Sequence, residues 1–396
     1  MHGYIPRQMQ SRLEQALQDF PAVALVGPRQ CGKTTLVRAT VGQWPQTVLL
    51  DLERPSDLRR LADPELFFRM HRSQRPATLF CLDEMQRVPD LFPVLRSVID
   101  ETDRPGQFLL LGSASYALLR QTSETLAGRI VFLELTPLLA AEVAAPPAVP
   151  LVTLWVRGGF PRSLLARSEA TSYQWRESFI RTFLERDIPQ LGITIPAATL
   201  RRLWGLLAHS HGQLLNSSQL GAALGVSHTT LRAYLELLTQ TFMVRLLPPY
   251  HANVRKRLVK APKVYLRDSG LLHALLELAD GDAVLGHPIL GASWEGFVLE
   301  QLVGMLPEWQ AHFYRTASGA EIDLVLSRGR ERIAVEAKAS SAPVVAWGST
   351  RQWQISGWRR AGSSRQWTSP IHCASGSWSP PCSMWWRSCA EAVATA

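Results

Sequence analysis

The run Gly27-Pro28-Arg29-Gln30-Cys31-Gly32-Lys33-Thr34-Thr35 holds the residue types needed to grip a polyphosphate. Gly27 and Gly32 permit a tight backbone path, so that the loop's N–H groups converge on phosphate oxygens. Lys33 sets a point charge at the outer phosphates, and the Thr34 hydroxyl suits a Mg²⁺ ion. A second group is Asp83-Glu84, which ends the apolar run Thr78-Leu79-Phe80-Cys81-Leu82. Unpaired charge at the end of a buried run is costly, so both acids need a reason. Asp83 is placed to reach Mg²⁺ through water, and Glu84 to orient and deprotonate an attacking water. A solvated turn is the plain alternative.

These groups need elements to hold them. The apolar run Ala22-Val23-Ala24-Leu25-Val26 predicts a strand before the loop, and a helical pattern follows from Leu36. Strand, loop and helix N-terminus in that order favour bound phosphate. A further strand, Gln107-Phe108-Leu109-Leu110-Leu111, leads into Gly112-Ser113-Ala114-Ser115. Ser113, ahead of Ser115, would sit beside the γ-phosphate and sense its loss. An ordinary helix cap is the alternative there. Residues 27–35 are thus the expected ATP-binding set, with ATP and Mg²⁺ as ligands.

Five strings carry a family resemblance: Gly27 to Leu36, Leu82-Asp83-Glu84-Met85-Gln86-Arg87-Val88-Pro89, Leu126-Ala127-Gly128-Arg129, Gly158-Gly159-Phe160-Pro161, and Gly319-Ala320-Glu321-Ile322-Asp323. Over residues 4–345 the chain resembles prokaryotic AAA+ ATPases that join an N-terminal ATPase module to a C-terminal domain of unknown function with a nuclease-like pattern. The resemblance implies an α/β P-loop core over 1–135 and a helical lid over 136–200. It implies Lys33, Glu84, Ser113 and Arg129 as catalytic residues. Arg129 precedes the strand Ile130-Val131-Phe132-Leu133, where such ATPases often keep an arginine finger for a neighbouring subunit's nucleotide. That would make the protein a homo-oligomer. A surface arginine paired with a local acid is the alternative.

Composition sets bounds. The chain has 396 residues, 46% of them hydrophobic, which suits two to four packed domains. No long apolar run lacks charge or proline, so no transmembrane helix and no membrane partner is expected. The N-terminus has no signal pattern, and Cys31 and Cys81 have neither metal nor disulfide spacing. A cytoplasmic location follows as the expectation. The formal net charge of +9 favours an acidic partner.

Residues 201–262 read as a winged helix-turn-helix. Gln219 to Leu224 is one helix, Gly225-Val226-Ser227 the turn, and Thr229 to Thr239 a second helix capped by Ser227. Phe242 to Leu247 is the expected wing strand. His228, Thr230 and Arg232 lie on the exposed face of the second helix. A basic stretch follows: Arg255, Lys256, Arg257, Lys260 and Lys263. Duplex DNA is the expected partner, with the helix in the major groove and the basic stretch on phosphates. A module used only for protein contact is the alternative.

Residues 263–345 carry a PD-(D/E)xK-like pattern. Asp323 lies in the strand Glu321-Ile322-Asp323-Leu324-Val325-Leu326, and Glu336 and Lys338 share one face of Ile333-Ala334-Val335-Glu336-Ala337-Lys338. Asp323 and Glu336 would hold a second Mg²⁺ and Lys338 would polarise water, with Glu295 or Glu300 as a third acid. An inactive copy of the same fold, or a hairpin with edge charges, is the alternative. From Ala346 to Ala396 the composition changes. This tail holds seven of the 13 Trp and three of the five Cys, no Lys or Asp, and one acid, Glu391. No helix or strand period is visible. A shifted reading frame of a GC-rich gene gives such a composition; a divergent tail is the alternative. A shifted frame would leave the nuclease-like domain incomplete.

The sequence therefore leads to an α/β, Mg²⁺-dependent AAA+ ATPase that acts through a winged helix and a nuclease-like domain. An ATP-dependent switch for protein partners and an ATP-regulated DNA nuclease are the competing outputs.

Overall fold

The computed structural model describes residues 4–44, 46–102, 104–113, 126–146, 148–191, 195–250, 260–316, 321–339, 352–360 and 371–374; for Gln43, 338–339, 352–360 and 371–374 it describes backbone only. Ser115, Arg255, Lys256, Arg257 and the Lys338 side chain lie outside the described residues. The chain divides into two units, Met1–Pro137 with Gln240–Phe242, and Leu138–Thr239 with Met243–Ala396.

The first unit is built on a parallel sheet of five strands: β1 (Ala22–Val26), β2 (Thr47–Asp51), β3 (Leu79–Asp83), β4 (Phe108–Gly112) and β5 (Ile130–Glu134). Their order is β2-β3-β4-β1-β5. β1, β3 and β4 are nearly all apolar because helices cover both faces of the sheet. Alternate residues divide between two cores. Val23 and Leu25 meet Leu13 and Leu17 of α1 (Met9–Asp19) and Leu36 and Val37 of α2 (Lys33–Thr40). Ala22, Ala24 and Val26 turn the other way. They join the core that holds Phe68, Leu95 and Ile99.

Phe68 sits on α4 (Pro64–Gln74), which follows a short α3 (Pro55–Arg60); Leu95 and Ile99 sit on α5 (Leu91–Asp100). α4 opens with Pro64, and the Asp63 carboxylate accepts from the Leu66 N–H at 3.0 Å. Proline at the first helical position and an acidic cap both satisfy the helix start. Phe68 then stands edge-on to Phe80 and Phe108, with centroids 4.9 and 5.2 Å away.

The second unit begins with helices α6 (Leu151–Arg157), α7 (Pro161–Leu164), α8 (Glu169–Thr182) and α9 (Ala197–His209). The Gly158-Gly159-Phe160-Pro161 turn has a structural role. Gly158 takes φ 77°, and a Cβ there would lie 2.2 Å from Asp268 Oδ1. The Gly159 N–H donates to Asp268 Oδ2 at 2.8 Å. Asp268 also caps α12 (Ser269–Leu275) through the Leu271 N–H at 2.9 Å.

Next come α10 (Ser217–Leu224) and α11 (His228–Gln240), joined through Gly225 at φ 68°. Ser227 Oγ accepts from the Thr230 N–H at 3.1 Å, as a helix cap should. α11 is one residue longer at each end than Thr229–Thr239. β6 (Val244–Leu247) pairs antiparallel with β7 (Lys263–Leu266). β6 begins after Phe242, not at it, because Phe242 has φ 64°, which no strand accepts.

After α13 (Gly281–Gly286) and α14 (Leu290–Met305) the chain forms a second sheet: β8 (Gln310–Arg315), β9 (Glu321–Arg328), β10 (Glu331–Ala339), β11 (Gln352–Arg360) and β12 (Ile371–Ala374). The order β12-β11-β10-β9-β8 is an antiparallel meander. β11 and β12 lie in the tail, where no strand period is visible in the sequence. A sheet edge offers backbone donors and acceptors to any extended segment, so the pairing needs no side-chain period.

Candidate nucleotide site

The first unit gathers its polar groups where β1, β4 and β3, three neighbouring strands, reach their carboxyl ends. The loop leaves β1 at Gly27, whose φ is 153°; a Cβ there would lie 2.2 Å from the Leu135 carbonyl oxygen. Gln30 and Gly32 take φ 64° and 104°, and α2 then starts at Lys33, three residues before the helical pattern reads from sequence. Lys33 is buried, and its Nζ donates to the carbonyls of Gly27 at 2.9 Å and Pro28 at 3.0 Å. Its charge is thus held over the mouth of the loop.

Arg7 supports the loop from behind. It donates to the Cys31 carbonyl at 3.0 Å and to the Thr136 carbonyl at 2.6 Å. Sequence reading missed it, because both partners are distant in the chain and an arginine before α1 gives no local signal. Cys31 is a packing residue: burial raises its thiol above the usual range, and Sγ lies 3.4 Å from the Leu135 carbonyl.

Thr34 Oγ1 donates to Asp83 Oδ2 at 2.8 Å. Burial pushes the Asp83 carboxyl up from its ordinary value, against the Thr34 hydrogen bond, which lowers it. Glu84 stands beyond the end of β3 in the left-handed region, at φ 59° and ψ 45°. Strain of this kind in a non-glycine residue gathers at functional positions. Its Oε2 accepts from the Gln86 amide and from Ser113 Oγ, the latter at 3.1 Å; the Gln86 amide also donates to Ser113 Oγ at 3.0 Å. Arg29 pairs with Glu53 at 3.0 Å, and Arg87 reaches the same carboxylate at 3.3 Å. Arg129 lies apart from these groups, paired with Asp100 of its own chain at 2.5 Å.

These residues fit a nucleotide and a hard cation. Gly27 and Gly32 leave a backbone cradle. Thr34 and Asp83 bring two oxygens together, the donor type Mg²⁺ prefers.

In the second unit, Asp323 Oδ2 accepts from the Ala337 N–H at 3.0 Å. Glu336 is exposed and follows Val335, which pairs with Leu324, the residue after Asp323. Burial, then the nearby Glu295, push the Asp323 carboxyl up to about 6.

Three expectations are corrected here. Lys263 does not belong with phosphate-binding lysines. It is 3% exposed, and its Nζ lies 3.0 Å from Glu295 and 2.6 Å from Glu321. Glu295, bonded also by the Tyr265 hydroxyl, is not a free third acid. Nor is Glu300, which two arginines clamp: Arg245, and Arg267 at 3.2 Å. Burial alone would raise the Glu300 carboxyl, yet those guanidinium groups hold it below its usual range. Among the described residues no group of three or more His, Cys, Asp and Glu could hold a metal ion. On α11, His228 and Arg232 are exposed, while Thr230 Oγ1 is bonded to Ser227 Oγ at 2.8 Å.

The sheet order and the loop after β1 define a P-loop ATPase domain of the AAA class. The family model described as "AAA domain" matches residues 19–144. Two domains of unknown function match farther on, DUF8612 over 150–282 and DUF4143 over 290–346. Uncharacterized proteins of Mycobacterium tuberculosis and Mycobacterium bovis are each 47% identical over 339 residues, covering 86% of this chain and 75% of theirs. The chain belongs to the same family as these mycobacterial proteins. A solved structure of a Walker-type ATPase from Pyrococcus abyssi is 16% identical, covers 69% of this chain and 96% of that one, and has a TM-score of 0.48. Among the described residues no helix is long and apolar enough to cross a membrane.

Proposed function

We propose that the protein binds and hydrolyses ATP, and that turnover in the first unit drives the second unit on duplex DNA. The observation that carries the reading is the convergence of Thr34, Asp83, Glu84 and Ser113 from the ends of three adjacent strands. The loop amides of residues 27–35 hold phosphates, and Lys33 exchanges its carbonyl partners for phosphate oxygens. Thr34 and Asp83 would hold Mg²⁺, which supplies charge neutralisation on the phosphates. Glu84 accepts the proton of the attacking water, and Ser113 reads the terminal phosphate. These are positioning and electrostatic roles, which is what phosphoryl transfer demands of a protein.

DNA is proposed as the partner on electrostatic grounds. His228, Arg232 and Lys260 are exposed, and the chain's net charge is +9. ATP turnover, measured with and without duplex DNA and with Glu84→Gln as control, tests both halves. Glu84-dependent turnover that rises with DNA supports the whole reading. Turnover indifferent to DNA removes the DNA half and leaves protein partners as the output. Nucleotide binding without turnover replaces the motor with a switch.

A further inference from the structure

Arg29 is rooted in the loop after β1, yet its guanidinium meets a residue that follows β2: Nη2 lies 3.0 Å from Glu53 Oε1. In the order β2-β3-β4-β1 those two strands stand three spacings apart, about 14 Å. The Arg29–Glu53 contact therefore spans the carboxyl ends of β4 and β3, the ends that carry Ser113, Asp83 and Glu84. Glu53 is held in place for this contact. Its N–H donates to Asp51 Oδ1 at 2.9 Å, and the Leu52 N–H before it donates to the Asp83 carbonyl at 3.1 Å. The same Oε1 takes a second cation, Arg87 at 3.3 Å, from the turn that follows Glu84. Arg29 is not sealed in, since its side chain is 21% exposed. A guanidinium that lies across these strand ends and meets solvent is open to a polyanion bound at the loop.

We infer that Arg29 is a catalytic residue of the hydrolysis proposed above, supplying a guanidinium in cis to the terminal phosphoryl group, and that Glu53 is the partner it leaves when ATP binds. The inference rests on that hydrolysis. With ATP bound, Arg29 turns to the γ-phosphate oxygens, which carry more charge than a carboxylate and suit its planar fork. Arg87 stays behind, so Glu53 keeps a counter-charge. In the step, the water oxygen forms a bond to the γ-phosphorus. The bond from that phosphorus to the β–γ bridging oxygen breaks, and its electron pair leaves with ADP. The water's proton passes to the Glu84 carboxylate. Arg29 keeps all its protons and offsets the charge that builds on the phosphoryl oxygens, a role worth about 10³–10⁵-fold in kcat where an arginine fills it. Arg129, paired with Asp100 of its own chain, lies apart from these groups and leaves that role open.

The test uses the full chain with Arg29→Met, Arg29→Lys, Glu53→Gln, the double variant of Arg29→Met with Glu53→Gln, and Glu84→Gln as control. Steady-state ATP turnover is read beside the affinities of methylanthraniloyl ADP and a non-hydrolysable methylanthraniloyl ATP analogue. Arg29→Met is expected to lose about 100-fold or more in kcat. Its ADP affinity should stay within about threefold of the parent, because ADP lacks the phosphate this group serves. Arg29→Lys should recover little, since a point charge does not replace a planar fork. Glu53→Gln should tighten the ATP analogue relative to ADP by about threefold or more, and the double variant should lose that gain. Arg29→Met turnover within about threefold of the parent, with Glu84→Gln inactive, overturns this inference and leaves the proposed function standing. An ATP-to-ADP affinity ratio unchanged in Glu53→Gln overturns it too. Loss of ADP binding in Arg29→Met does the same, because it marks the arginine as part of the loop's fold. Absence of Glu84-dependent turnover in the parent chain removes the proposed function, and this inference with it.

Discussion

Thr34 Oγ1 lies 2.8 Å from Asp83 Oδ2, which ties the first turn of α2 to the end of β3. The two oxygens come from segments 49 residues apart and meet because β4 holds β1 and β3 at a fixed spacing. Thr34→Ala and Asp83→Asn should each raise the Mg²⁺ concentration for half-maximal turnover by about tenfold or more, since each removes one oxygen of the set. A Mg²⁺ titration of ATP turnover reads this directly. An unchanged midpoint in both variants would remove the pair from the metal.

Gly27→Ala tests the cradle. The added carbon would stand 2.2 Å from the Leu135 carbonyl oxygen, on a backbone at φ 153°. Overpacking of that kind costs about 1–3 kcal/mol, and the left-handed strain adds to it. The variant is expected to melt several degrees lower and to lose nucleotide binding. Melting curves with and without ATP separate the two effects: the parent gains stability from ATP and the variant does not.

Lys263 offers a different test. Lys263→Met leaves Glu295 and Glu321 without their shared cation, and breaking a buried pair costs about 3–5 kcal/mol. Restoring neutrality with Glu295→Gln in the same chain should recover part of that loss. Because this lysine is structural, the salt dependence of DNA binding should not change in Lys263→Met protein that remains folded. A slope reduced by about one would return Lys263 to the phosphate-binding set.

Asp268 should leave a mark on the pH dependence of stability. Burial pushes its carboxyl up to about 6 from the ordinary 3.8, against the hydrogen bonds of Leu271 and Gly159, which lower it. The native state therefore binds more protons than the unfolded chain between those values. This contribution is fully present below pH 3.8 and is lost as pH rises through about 6. Its slope is at most about 1.4 kcal/mol per pH unit. Asp323 works in the same sense, and Glu300, held low, in the opposite one. Urea unfolding from pH 4 to 8 should show a shallower profile in Asp268→Asn than in the parent. Parallel profiles would rule the assignment out.

What could be read from sequence was whatever local pattern encodes. A strand of five apolar residues, two glycines and a Lys-Thr pair describe one another within fifteen residues, and the acids at the end of β3 stand out because they end a buried run. The role of Arg7 was not legible, because the Cys31 and Thr136 carbonyls that it holds lie far along the chain. Lys263 misled for a related reason. Beside Arg255, Lys256, Arg257 and Lys260 it reads as one more surface charge, and only the fold brings Glu295 and Glu321 to it. Glu300 was open to the same error, since Arg245 and Arg267 meet it only across the β6–β7 pair.

The position of β4 has a consequence for how the protein is made. Among the described residues β1 pairs with β4 and β5, and β3 with β2 and β4. During synthesis the phosphate loop emerges first and the acids of β3 second, but neither half of the sheet can join the other until Phe108–Gly112 has left the ribosome. One central strand, arriving fourth, thus joins the two halves and assembles the site in a single event, before β5 adds to the edge of the sheet. A chain halted before that strand carries every residue of the loop and both acids, and still has no site.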